Sequence, residues 1–254
     1  HNAPLAAADA IEWGSRRLDT VILGLFVSPA MVGIYWVAQQ IVSVPQKLKT
    51  SFDPVLGPVI TRALDEGDRP AVARQISQVG FWILAAQLGI GLSLALSGRE
   101  LMALIGPKQD FVGGNGSLGL LLAAEALASL AVVSEAALVY VARHKNMLVS
   151  LAMIVMQAVL SVAMIELAKA RGLPEGWQAA GAAAALAISL GLGSLGKAAL
   201  AKVALGAPVS VWRWTLVPAT LAAMIIGLAA HRLPGWRQLA VGLPATLGRF
   251  GWII

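Results

Sequence analysis

Arg16, Arg17 and Asp19 crowd into one otherwise apolar run, E-W-G-S-R-R-L-D-T-V-I-L-G-L-F. Charges inside a lipid-compatible helix are costly, so they face a partner or a wet cavity. Arginine suits a diphosphate or an acidic sugar, because its planar fork donates two parallel hydrogen bonds to the oxygens of one anion. Two alternatives stand beside that use. The pair anchors the chain at the headgroups, or Glu12 and Asp19 neutralise Arg16 from the i−4 and i+3 positions. Successive helical residues point about 100° apart, so only one of the two arginines would meet a bound anion. Arg17 is the expected one, since it has no acidic neighbour one turn away. Asp19 is a candidate for binding a coupling cation or proton, and equally a structural partner of an arginine.

Three further groups invite the same question. Glu125 and Glu135 lie in one apolar segment, about 80° apart around a helix, so they are expected to share a cavity and to couple an ion. Gln39, Gln40, Gln46, Lys47 and Lys49 give an earlier segment a polar face. Lys47 and Gln39 are the candidates for the substrate. Lys49, about 160° from Lys47, would reach the headgroups. The alternative makes both lysines interfacial.

Other chemistries are excluded or unsupported. The chain has no cysteine, so it has no disulfide and no thiol nucleophile. Its three histidines, at 1, 144 and 231, are far apart, which argues against a histidine metal cluster. The G-P-K-Q-D-F-V-G-G-N-G stretch lacks the Gly-Lys-Ser/Thr ending of a phosphate loop and reads as a connector. No cofactor is expected. The net charge of +6 comes without a basic-aromatic stripe, so nucleic acid is not an expected partner.

The elements that position these residues follow from composition. Of the 254 residues 58% are hydrophobic and 13% charged, against about 25% charged in a soluble domain. The mean hydropathy is +0.76. Such a chain cannot cover a globule with polar surface, and the expected fold is an all-α polytopic membrane bundle. About eight transmembrane segments are read, near 4–27, 30–60, 76–97, 117–142, 147–168, 177–205, 213–230 and 237–254. Pro45 is expected to kink the second. Residues 1–205 form the main lobe and 206–254 two additional helices. Connectors 61–75, 143–146 and 206–213 share one face, and they and the flanking helix end carry seven basic residues against six on the other face. That balance places them in the cytoplasm and 98–116 outside. Gly181, Ala185, Ser189 and Gly193 make a small-residue stripe suited to close helix packing. Trp177, Trp212, Trp214 and Trp236 suit an interfacial belt.

The opening stretch resembles the polysaccharide flippase family of the multidrug/oligosaccharidyl-lipid/polysaccharide exporter superfamily. The resemblance rests on Asp19 followed by V-I-L-G-L-F, on Val32-Gly33-Ile34-Tyr35 with Ala38, on Pro58-Val59-Ile60, and on the turn Glu66-Gly67-Asp68. Later marks are the Gly-Pro loop, the turn Ala142-Arg143-His144-Lys145-Asn146, and Gly181 in an Ala-rich helix. In that family the pattern opens the C-terminal half. The resemblance therefore implies one lobe of a two-lobed, V-shaped transporter of the bacterial inner membrane, with an N-terminal lobe upstream. It also implies alternating access that moves an undecaprenyl-diphosphate-linked saccharide from the inner to the outer leaflet, without enzymatic chemistry.

Three rivals are carried. A drug exporter of the same superfamily would want acidic cavity walls, which these basic candidates do not provide. A membrane enzyme of saccharide assembly would need a large external loop, and the longest connector is roughly 19 residues. A non-transporting scaffold would pair all its intramembrane charges.

Overall fold

The computed structural model describes residues 17–51, 53–105 and 113–231. Among them the chain is helical, with no strand. Helix α1 covers 17–26, and it is followed by α2 Pro29–Thr50, α3 Asp53–Asp65, α4 Arg69–Leu96, α5 Gly98–Ile105, α6 Asn115–Val141, α7 Arg143–Ala170, α8 Glu175–Leu205 and α9 Leu216–His231.

The helix ends are written in local chemistry. Ser28 precedes Pro29, and its hydroxyl accepts from the Met31 amide at 3.4 Å, which places a cap before a proline suited to the first turn. Asp68 caps α4 by accepting from Ala71 N at 2.8 Å, with Pro70 in the first turn. Before it, Gly67 ends α3 at a φ of 75°. The Gly67 amide reaches Leu64 O and the Asp68 amide reaches Ala63 O, both at 3.0 Å, which closes the helix in a Schellman motif. The left-handed conformation this demands is one that glycine adopts without a Cβ clash.

Among the described residues four helices, α4, α6, α7 and α8, are long and apolar enough to cross a membrane, and α9 is a shorter apolar helix. The eight-segment expectation departs from this picture in identifiable places. The 30–60 segment is two helices, of 22 and 13 residues. Their break falls at Ser51, past Pro45, which α2 runs through. The Pro45 carbonyl is held from outside by the Gln87 amide at 2.6 Å. The break instead precedes Asp53-Pro54, where proline disfavours helix for the residue before it and is tolerated in a first turn. The segment at 237–254 lies outside the described residues.

The chain divides into two compact units, one running to Arg213 and the other starting at Trp214. In the first, α6 is the most buried candidate span and α7 the least. Two apolar clusters sit along α6. One gathers Leu23, Tyr35, Ala38, Leu118, Leu121 and Ala183. The other gathers Ile60, Ile76, Ile83, Val133, Ala137 and Leu205. The second cluster brings the α3–α4 turn, the end of α6 and the end of α8 to one end of the bundle, and the Ser210 amide bonds Ser77 Oγ there at 3.1 Å.

Helix α7 shows which solvent the fold is built for. Its buried residues are Asn146, Gln157, Ser161, Ile165 and Ala168. Its exposed ones include Leu148, Leu151, Val155, Val159 and Leu167. A helix facing water does the reverse. In lipid the apolar face belongs outside, and association relies on small residues and interhelical hydrogen bonds. The glycines of α8 supply the close approach. A Cβ on Gly181 would stand 3.3 Å from Met164 Cβ, and one on Gly193 would collide with the Met153 side chain.

Candidate functional site

Asp19 is fully buried. One carboxylate oxygen accepts from Tyr35 Oη at 2.6 Å and from Gln39 Nε2 at 3.0 Å. The other accepts from the Thr20 amide at 2.8 Å. Thr20 Oγ1 in turn donates to Gln39 Oε1 at 3.1 Å, which fixes the orientation of that amide. Tyr35 and Gln39 stand four apart on α2, on one helical face, and the Ser28-Pro29 turn brings that face back onto α1. The carboxylate is thus held by hydroxyl, amide and backbone N–H, and its partners among the described residues are all neutral.

Among the described residues this carboxylate keeps its place through hydrogen bonds from neutral donors. Hydrogen bonds to a charged group are worth about 1.5–3 kcal/mol each, and leaving such a group unsatisfied is the larger cost.

The other sequence candidates are distributed as follows. Arg16 and Glu12 lie outside the described residues. Arg17 is exposed on α1, and Lys47 is exposed on α2. Gln39 spends both ends of its amide on Asp19 and Thr20, so it supports the carboxylate. Glu125 and Glu135 each meet a partner on a different helix. Glu125 is buried and accepts from Gln46 Nε2 of α2 at 3.3 Å. Glu135 pairs with Lys197 of α8 at 2.8 Å and accepts from Asn146 Nδ2 of α7 at 3.2 Å. Ten residues separate them, roughly 15 Å of helix, and that axial distance outweighs their shared side.

Three residues that complete these clusters are absent from the candidates drawn from sequence. Tyr35 was legible from its spacing, one turn before Gln39. Lys197 carried the signal that singled out Asp19, a charge inside a long apolar helix. Asn146 reads from sequence as part of a basic turn, and nothing in its neighbours marks it as a partner for Glu135.

No protein-family model matches this chain, and no solved structure matches it. Over 117 residues the chain is 35% identical to the "Probable flippase AglR" of Haloferax volcanii. The match covers 46% of this chain, and the chain spans 23% of that relative's length. This is a multi-pass membrane protein. Its spans, its inverted α7 and its similarity to a protein named as a probable flippase agree on that.

Proposed function

We propose that the chain is one lobe of a transporter that moves an undecaprenyl-diphosphate-linked saccharide from the inner to the outer leaflet of a bacterial inner membrane by alternating access. Transport, not catalysis, is its business, and a second helical lobe completes the cavity. The observation that carries this reading is the Asp19 cluster, a buried carboxylate whose partners among the described residues are neutral donors, in a multi-span chain similar to a probable flippase. Asp19 is the coupling site, with Glu125 as a second candidate. Arg17, with Arg16 and Lys47, faces the diphosphate. An anion entering a low-dielectric cavity needs a paired cation, and arginine meets a phosphate with a bidentate fork that lysine lacks.

The test is reconstitution of the full-length protein in proteoliposomes with a labelled polyprenyl-diphosphate saccharide. Outward movement is followed under an imposed proton or sodium gradient. Asp19→Asn is expected to retain fold and lose gradient dependence. Arg17→Lys is expected to slow movement at least several-fold, and Arg17→Ala more. Wild-type movement in Arg17→Lys removes the diphosphate clamp at that position. Gradient-dependent movement in Asp19→Asn removes the coupling role.

A further inference from the structure

Glu135, Lys197 and Asn146 have no part in the transport reading above. One carboxylate gathers donors from two other helices: Lys197 Nζ of α8 on one oxygen at 2.8 Å, and Asn146 Nδ2 of α7 on the other at 3.2 Å. Lys197 is 4% exposed and Asn146 6%. Their helices differ in how much of their surface is buried. Helices α6 and α8 are well buried, whereas α7 is the least buried of the four candidate spans. Along much of its length α7 meets α8 through close van der Waals contact, as where Gly181 approaches Met164. Contacts of that kind are individually weak and carry little direction. The Asn146–Glu135 bond is directional and lies in the first turn of α7, one turn after the chain leaves α6 through Ala142 alone.

A cation arriving at Glu135 would meet a resident ammonium. Expelling that ammonium leaves a second charge unpaired in a buried place, which is the costly outcome for an ion pair. Glu135 is therefore poorly suited to exchanging an ion, in contrast to Asp19.

We infer that Glu135, Lys197 and Asn146 form a strut that fixes α6, α7 and α8 against one another at the end carrying the α6–α7 turn, with Lys197 as a positioning residue that handles neither ion nor substrate. The three helices then move as one body in any transport cycle.

Melting and label distances are read on the full-length protein in lipid nanodiscs and transport in the proteoliposome assay above, and the transport arm alone rests on the proposed flippase function. Lys197→Met is expected to lower the melting temperature by about 5–10 °C. Lys197→Arg, and the exchanged pair Glu135→Lys with Lys197→Glu, are expected to recover most of that. The neutral pair Glu135→Gln with Lys197→Met keeps its fold and its gradient-dependent transport. Because the chain has no cysteine, spin labels can be placed at Met147 and Val203, and their distance distribution is expected to broaden in Lys197→Met and narrow again in the exchanged pair. Unchanged melting and unchanged label distances in Lys197→Met overturn the strut. A neutral pair that is folded yet more than tenfold slower in transport also overturns it, by giving the pair a role in the cargo or ion path. If wild-type protein moves no saccharide, the flippase reading fails, while melting and label distances still decide the strut.

Discussion

Asp19 and Glu135 are both carboxylates inside apolar helices, and the protein satisfies them in opposite ways. Asp19 is surrounded by a hydroxyl, an amide and a backbone N–H. Glu135 is matched by an ammonium and an amide. In the first case, on the proposed coupling role, a proton or cation would not have to displace a charged partner among the described residues. In the second, removing either charge strands the other, so the pair is suited to permanence. Burial alone does not distinguish a working charge from a structural one. The identity of the donors around it does.

Substitutions that act on one cluster and spare the other break or sharpen this contrast. The largest effect is expected for Lys197→Met, which strands Glu135. Breaking a buried pair costs about 3–5 kcal/mol, and the partial exposure of Glu135 favours the lower figure. Reversible unfolding in bicelles measures it, and a loss below 1 kcal/mol would mean that the pair carries no structural weight. Next is Tyr35→Phe, which removes one charge-assisted bond from Asp19 and is expected to cost about 1.5–3 kcal/mol in the same assay. Gly193→Val comes third, at about 1–3 kcal/mol, because its side chain must displace Met153 at the α7–α8 contact. It should leave the Asp19 cluster untouched, so gradient-dependent transport per folded molecule is the control. The smallest is Asp68→Ala, which removes the α4 cap and is expected to cost about 1 kcal/mol with no effect on either carboxylate. An effect of Asp68→Ala on coupling would show that the two regions are less independent than their separate partners imply.

The sequence conveyed the class of fold because lipid imposes a coarse and strong constraint: long apolar helices with few charges. It also marked Asp19, Glu125 and Glu135 as charges needing partners. It did not convey which partners. Helical angle placed Glu125 and Glu135 on a common side, but their axial separation lets α2 serve one and α8 the other. Pro45 suggests a kink in the second segment, while the structure divides that segment before Asp53-Pro54, and the Pro45 carbonyl meets Gln87 on a helix distant in sequence. Partnerships of this kind depend on which helices become neighbours, and a one-dimensional pattern does not contain that information.

The inverted pattern of α7 carries a consequence for how the molecule is made. Seven of its exposed positions are large and apolar, so the segment can enter a bilayer as soon as it leaves the ribosome. Its inward stripe, with Asn146, Gln157 and Ser161, has its neighbours on helices that come both earlier and later in synthesis. Glu135 is already in the membrane when Asn146 arrives, but Lys197 follows by a further 51 positions. Until α8 is translated, Glu135 lacks the ammonium that pairs with it in the folded protein. The nascent chain is therefore expected to be most vulnerable to quality-control proteases in the interval between the insertion of α7 and that of α8.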